Sequence, residues 1–262
     1  MKKILPLLLA TFFLAGCSTL LQLGSDSSNK QIESEEMTAS DLFAEVKGKE
    51  DSIQSASQVS VVEIGVTMDG DRQVESKYME QDVDIENGGL EQYSKNENNY
   101  QEVSHYRLFY ANDESYFYDY DTERWAENPG EVASIKEMIE NIEFTGHLNQ
   151  FDDYHDHFSV YEDGDAYILS LNVPEGDEAL AFLKEMEHDI SYLIDPDQQN
   201  LTLDHYKFDF TIDRDSYYIQ KVESEIKFTF DDEDIEYEEN RDVTYTNYNE
   251  VEPIEIPDEA KE

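Results

Sequence analysis

The chain has 262 residues, 63 of them acidic and 18 basic, giving a formal net charge of −45. That imbalance repels nucleic acid and anionic lipid headgroups and excludes both as direct partners. A content of 39% hydrophobic and 12% aromatic residues argues against wholesale disorder, and the single cysteine, Cys17, excludes an intrachain disulfide.

At the start, Lys2 and Lys3 precede an apolar run from Ile4 to Gly16, ILPLLLATFFLAG. The run is too short for a stable bilayer span but has the length of a signal-peptide core. The sequence turns polar directly after Cys17, which a buried helix would not do. In this setting LAGC, Leu14 to Cys17, resembles a bacterial lipobox. Cleavage before the cysteine needs small residues, and Ala15 and Gly16 are small. The resemblance implies that residues 1–16 are a removed signal peptide and that Cys17 carries a diacylglyceryl group. Together with further acylation, this holds the protein at the outer face of the cytoplasmic membrane. Gly24 to Glu36 is rich in Ser, Asn and Glu and reads as a flexible tether, so residues 17–37 are assigned as linker.

Thr38 is placed to cap a helix, with Asp41 three residues on. Leu42, Val46 and Ile53 share one face with Lys49, which predicts a helix over 39–55. Val62, Ile64, Val66 and Met68 then alternate, and Asp69-Gly70 signals a hairpin whose returning strand is 72–85. Asn87-Gly88-Gly89 punctuates the chain, and EQYSKNENN reads as a polar loop. Aromatic-rich strands flank Asn112-Asp113. Val132, Ile135, Met138, Ile139 and Ile142 stripe a short helix. Another hairpin turns at Asp163-Gly164. Leu180, Leu183, Met186, Ile190, Leu193 and Ile194 give a helix a broad apolar face before Pro196. Three strands close the chain: 201–212, 217–230 and 235–248. The last is highly acidic and reads as an edge or solvent-facing strand protected by charge.

This order, with short connections and no repeated βαβ unit, points to an α+β fold built on antiparallel pairing. YTNYNEVEPIEIPDEA, Tyr245 to Ala260, resembles the closing segment of a family of uncharacterised Gram-positive lipoproteins whose fold is similar to that of the carriers LolA and LppX. The Tyr-rich hairpin ending at Trp125 adds to the resemblance, which covers Thr38 to Ala260 in element order. It implies a strongly curved antiparallel sheet, an incomplete barrel packed over helices with an apolar cavity between. On that basis residues 38–256 form a single domain and 257–262 a short tail.

Candidate chemistry is sparse. His155 and His157 at i and i+2 would share a strand face and offer the best metal pair, but no third ligand lies at a constrained spacing. The acidic runs lack the glycine spacing of an EF-hand loop. No nucleophile elbow or His-Glu-x-x-His helix is present. The expectation is therefore a non-enzymatic protein without a cofactor. Tyr106, Phe109, Tyr118, Trp125, Phe208 and Phe210 are the residues expected to line an apolar cavity, if they are not simply core. Two functions follow. One is an anchored lipoprotein that binds or carries an apolar or lipid ligand. The other is an interaction or envelope-support module whose acidic exterior meets cationic partners or ions. No protein partner can be read from these residues.

Overall fold

Period-two alternation broken by short turns organises the chain into hairpins. The computed structural model describes residues 32–34, 37–99, 102–142, 144–149, 151–173, 201–230 and 235–262. All of them lie in the second of two compact units, Gln31–Glu262.

Helix α1 spans Ala39–Lys47. The Thr38 hydroxyl accepts the Asp41 N–H at 3.2 Å and donates to the Asp41 carboxylate at 2.6 Å, which satisfies an otherwise unpaired first-turn donor. The helix ends earlier than Ser55, the expected limit. Gly48 closes it, a short 3-10 turn covers Glu50–Ser52, and Ile53 is buried in the run into the first long strand.

That strand, β2 (Ser55–Met68), pairs over its whole length with β3 (Asp71–Asp84), from Ser55 opposite Asp84 to Met68 opposite Asp71. Asp69 and Gly70 take φ values of 53° and 80°, the left-handed pair that a tight two-residue hairpin requires. The segment expected to be a polar loop is instead strand β4 (Gly89–Asn98), held between β3 and β5 (Glu102–Ala111). Backbone ladder bonds on both sides override its poor side-chain propensity. Asn112 and Asp113, with φ of 55° and 60°, turn β5 into β6 (Glu114–Asp119), and β7 (Arg124–Glu127) follows. Helix α2 (Val132–Glu140) buries Ile135 and Ile139 and leaves Met138 41% exposed. A short helix, α3 (Gly146–Asn149), and a 3-10 segment, Asp152–His157, lead to the hairpin of β8 (Phe158–Asp163) and β9 (Ala166–Leu171). The meander of β10 (Leu201–Asp213), β11 (Ile219–Phe230) and β12 (Ile235–Thr246) completes the strands. The helix expected over residues 176–195 lies outside the described residues.

Including a two-residue β1 (Ile32–Glu33), the strand order is β1-β8-β9-β10-β11-β12-β2-β3-β4-β5-β6-β7. The α+β class stands, but the strongly curved incomplete barrel does not. The sheet is open and not strongly curved, and few helices accompany it among the described residues. The physical reason lies at the two rims. Closure needs long first and last strands with matched tilt and stagger, and β1 and β7 have only two and four residues. A second correction concerns β12, which is central between β11 and β2 rather than an edge. Its acidic side chains are tolerated because cations sit beside them on the outer face. Arg72 pairs with Glu238, Lys227 with Glu236 and Lys221 with Asp242.

The inner face carries the main core. Leu42 and Val46 of α1, Phe144, Leu148 and Phe151 pack against Ala56, Val83, Leu90, Leu169, Phe210, Ile219, Val222 and Val243 of the sheet. A smaller core lies on the outer face of β5–β7, where Phe109, Ala111 and Tyr116 are covered by Ile256 and Ala260 of the C-terminal tail.

Candidate functional site

The six aromatic residues expected to line a cavity do not form one cluster. Phe208 and Phe210 sit in the main core, with ring centroids 4.9 and 6.1 Å from Phe151. Phe109 belongs to the outer core, 5.8 Å from Trp125, and Tyr118 lies 5.2 Å from Trp125. Tyr106 is one residue off the register of Arg107 and Phe109 and so faces the inner side, where its hydroxyl accepts from Gln92 at 3.3 Å. His155 and His157 lie on a 3-10 segment rather than a strand. The His155 ring nitrogens meet the Asp152 carbonyl at 3.0 Å and Asp156 at 3.3 Å. No group of three or more His, Cys, Asp or Glu able to hold a metal occurs among the described residues. Cys17 lies outside them.

Two features of the sheet could receive a ligand. The first is on the inner face. The described helical segments contact the strand ends near Ser55 and Tyr245, through Phe43 on Phe158 and Phe144 on Tyr245. Toward the opposite ends the apolar surface continues. Ile64, Val66, Leu203 and Phe230 are partly buried against the core, and Met68 is 50% exposed. Beside this strip Glu239 is buried, accepting from the Tyr237 hydroxyl at 2.7 Å and from the Arg241 guanidinium at 3.0 Å. Burial raises the Tyr206 phenol well above its ordinary pKa, so it stays neutral.

The second feature is a groove of about 310 Å³ on the outer face of β3–β6. The registers Asp82↔Glu91, Glu80↔Tyr93 and Tyr93↔Arg107 bring five side chains of three strands together there, with Tyr120 beyond them. Arg107 pairs with Glu91. Burial works to lower the Arg107 pKa, but the Glu91 hydrogen bond and charge outweigh it and keep the guanidinium charged. Tyr78 is raised, first by burial and then by the Glu80 carboxylate. The rings run on as a band: Tyr78–Tyr93 and Tyr93–Tyr120 at 5.9 Å, Tyr118–Tyr120 at 4.9 Å, and His105 stacked on Tyr120 at 4.0 Å. Residue patterning gave no sign of this groove. Its only trace in the sequence is Glu80 and Asp82 at i and i+2, and their partners become visible only through the strand register.

An open antiparallel sheet with few helices among its described residues defines an α+β domain with clefts on its surface. Residues 38–262 match the model described as a family of unknown function, DUF6612, and the chain belongs to that family. Residues 1–18 match the prokaryotic membrane lipoprotein lipid attachment site. No curated protein matches the chain significantly. Among solved structures, a domain from Vibrio parahaemolyticus described as an outer membrane lipoprotein-sorting protein is 10% identical, covers 79% of this chain and 92% of its own, and has a TM-score of 0.25. A DUF1329 family protein from Desulfovibrio piger is 11% identical over 80% of this chain and 90% of its own, at a TM-score of 0.21. A beta-barrel-like protein of the domain of unknown function DUF1849 from Brucella abortus is 8% identical over 74% and 98%, at 0.24. At such scores these likenesses carry no argument about ligand or mechanism.

Proposed function

We propose that this protein is a non-enzymatic lipoprotein that binds an apolar ligand at the outer face of the cytoplasmic membrane. Acyl chains on Cys17 anchor it, residues 17–37 tether it, and the domain over 38–256 binds. The observation that carries the reading is the apolar strip of Ile64, Val66, Leu203 and Phe230, which continues the inner face past the described helices and ends at the exposed Met68. Full burial of an exposed side chain of this kind is worth about 1.5–3 kcal/mol, and these partly buried residues gain a fraction of it when covered, so an apolar chain laid along the strip is favoured. The neutral Tyr206 and the Arg241–Glu239 pair border the strip with polar groups that would orient the ligand's polar end.

The test is native mass spectrometry of the purified chain, with titration of a fluorescent fatty acid. Saturable uptake that Val66→Asp abolishes is expected. A lipid-free protein with no uptake by the unaltered chain would overturn the reading.

A further inference from the structure

On the outer face the charges are arranged unusually. Elsewhere on this face a basic residue sits beside each of several carboxylates: Lys95 with Glu97, Lys207 with Asp209 and Lys221 with Asp242. In the groove, three carboxylates face one guanidinium, and that guanidinium is held by Glu91. Asp82 stands directly opposite Glu91 in the β3–β4 ladder, a like-charge pair that costs stability. Among the described residues, Glu80 meets only the Tyr78 hydroxyl at 3.4 Å, and Asp82 takes only the Ser57 hydroxyl. Neither has a basic partner among the described residues.

The space beside these carboxylates is a cleft rather than open surface, and its wall is aromatic. Tyr93 and Tyr120 line it, with Tyr78, Tyr118 and His105 packed behind them. A cation next to such rings is attracted by their negative faces, and an alkyl stem can lie along them. Carboxylate oxygens can only accept hydrogen bonds, so a cation that also donates N–H bonds fits better than a quaternary one. The surrounding negative field concentrates cations and repels anions.

We propose that this groove binds a primary alkylammonium ion, its ammonium group on Glu80 and Asp82 and its alkyl stem along Tyr93 and Tyr120. The site lies on the face opposite the apolar strip and does not depend on the proposed apolar ligand. A second cleft, lined by Val61, Glu63, Glu223, Glu225, Arg241 and Asp242, has no aromatic wall and has Lys221 and Lys207 beside its carboxylates, and it supplies the internal control.

The experiment is calorimetric titration of putrescine into the full chain in neutral detergent micelles at fixed ionic strength, with choline and MgCl₂ as comparison titrants. Saturable putrescine binding is expected. It should weaken at least tenfold in Glu80→Gln/Asp82→Asn and in Tyr120→Leu, and stay unchanged in Glu63→Gln. Because the double substitution removes repulsion, its melting temperature should equal or exceed that of the unaltered chain, which separates lost binding from lost folding. Absence of putrescine binding, equal weakening by Glu63→Gln, or binding of Mg²⁺ as tight as putrescine would overturn the proposal.

Discussion

The Glu50 carboxylate accepts the backbone N–H groups of both Phe144 and Thr145, each at 2.8 Å, across 94 and 95 residues of sequence. It therefore ties the turn between α1 and β2 to the residues that open α3. Successive amides converging on one carboxylate form an anion-holding concavity, and these donors would otherwise be only partly solvated. Glu50→Gln keeps the shape but loses the charge-assisted character, and a loss of about 1–2 kcal/mol is expected. Glu50→Ala should lose more. Urea unfolding of both variants measures this, and equal stability of all three proteins would show that the tie contributes nothing.

Asn249 makes a comparable link at the other end of the chain. Its side-chain oxygen accepts the Gln54 N–H at 2.6 Å, its amide group donates to the Ser52 carbonyl at 3.1 Å, and its φ is 61°. Asn is one of the few non-glycine residues that tolerates this backbone conformation. Asn249→Gly keeps the φ and removes these side-chain bonds together with the one donated to the Tyr218 hydroxyl at 3.4 Å, whereas Asn249→Ala loses the bonds and adds strain. Alanine should therefore cost about 1 kcal/mol more than glycine. A reversed ranking in chemical denaturation would mean that the backbone conformation is not the limiting feature.

How far the sequence revealed this architecture depends on which interactions decide each element. Turns were legible because φ is a local property. Asp69-Gly70, Asn112-Asp113 and Gly164 all take left-handed values at the expected hairpins. The Thr38 cap was legible for the same reason. Strand β4 was not, because its place is fixed by ladders to β3 and β5 and not by its own polar side chains. The central position of β12 was hidden likewise, since Arg72, Lys221 and Lys227 reach its carboxylates from other strands. The groove depends on three strands in register and on Tyr120 after a fourth, so no contiguous motif encodes it.

Phe151 shows the same limit in the core. It lies between polar neighbours in sequence, yet it is 1% exposed and its ring meets Phe158 at 5.3 Å as well as Phe208 and Phe210. Phe151→Ala should cost about 3–5 kcal/mol by lost burial and the cavity left behind. Phe151→Leu, which keeps most of the volume, should cost clearly less. Thermal melts of the two variants decide this, and equal losses would argue against cavity formation as the cause.

The Asp213 carboxylate closes the β10–β11 turn by accepting the Ser216 N–H and hydroxyl, each at 2.8 Å, and the Asp215 N–H at 3.1 Å. The Ser216 amide bond leads in holding its pKa below the ordinary carboxylate value, against an opposing effect of burial. A folded-state pKa below the unfolded one contributes stability that is present above about pH 4 and is lost as pH falls through the folded value. Asp213→Asn should therefore lower the melting temperature at neutral pH and shrink the difference from the unaltered chain as the pH drops below about 4. A difference that stays constant down to pH 2 would show that the carboxylate's charge is irrelevant to the turn.

Charge also governs the molecule as a whole. With a net charge of −45, self-repulsion opposes the compact state, and the lysine and arginine pairs on the outer face offset only part of it. Raising NaCl from about 10 mM to about 1 M shortens the Debye length from about 30 Å to about 3 Å, which removes long-range repulsion but also weakens the exposed ion pairs. The repulsive contacts outnumber the attractive ones because acids exceed bases by more than three to one, so the melting temperature should rise by several degrees. Replacing NaCl by sucrose, which strengthens burial without screening charge, should not reproduce the steep part of that rise at low concentration. A melting temperature independent of salt would mean that cation-matched carboxylates dominate the fold, and that the unmatched pair at Glu80 and Asp82 is an exception too small to register globally.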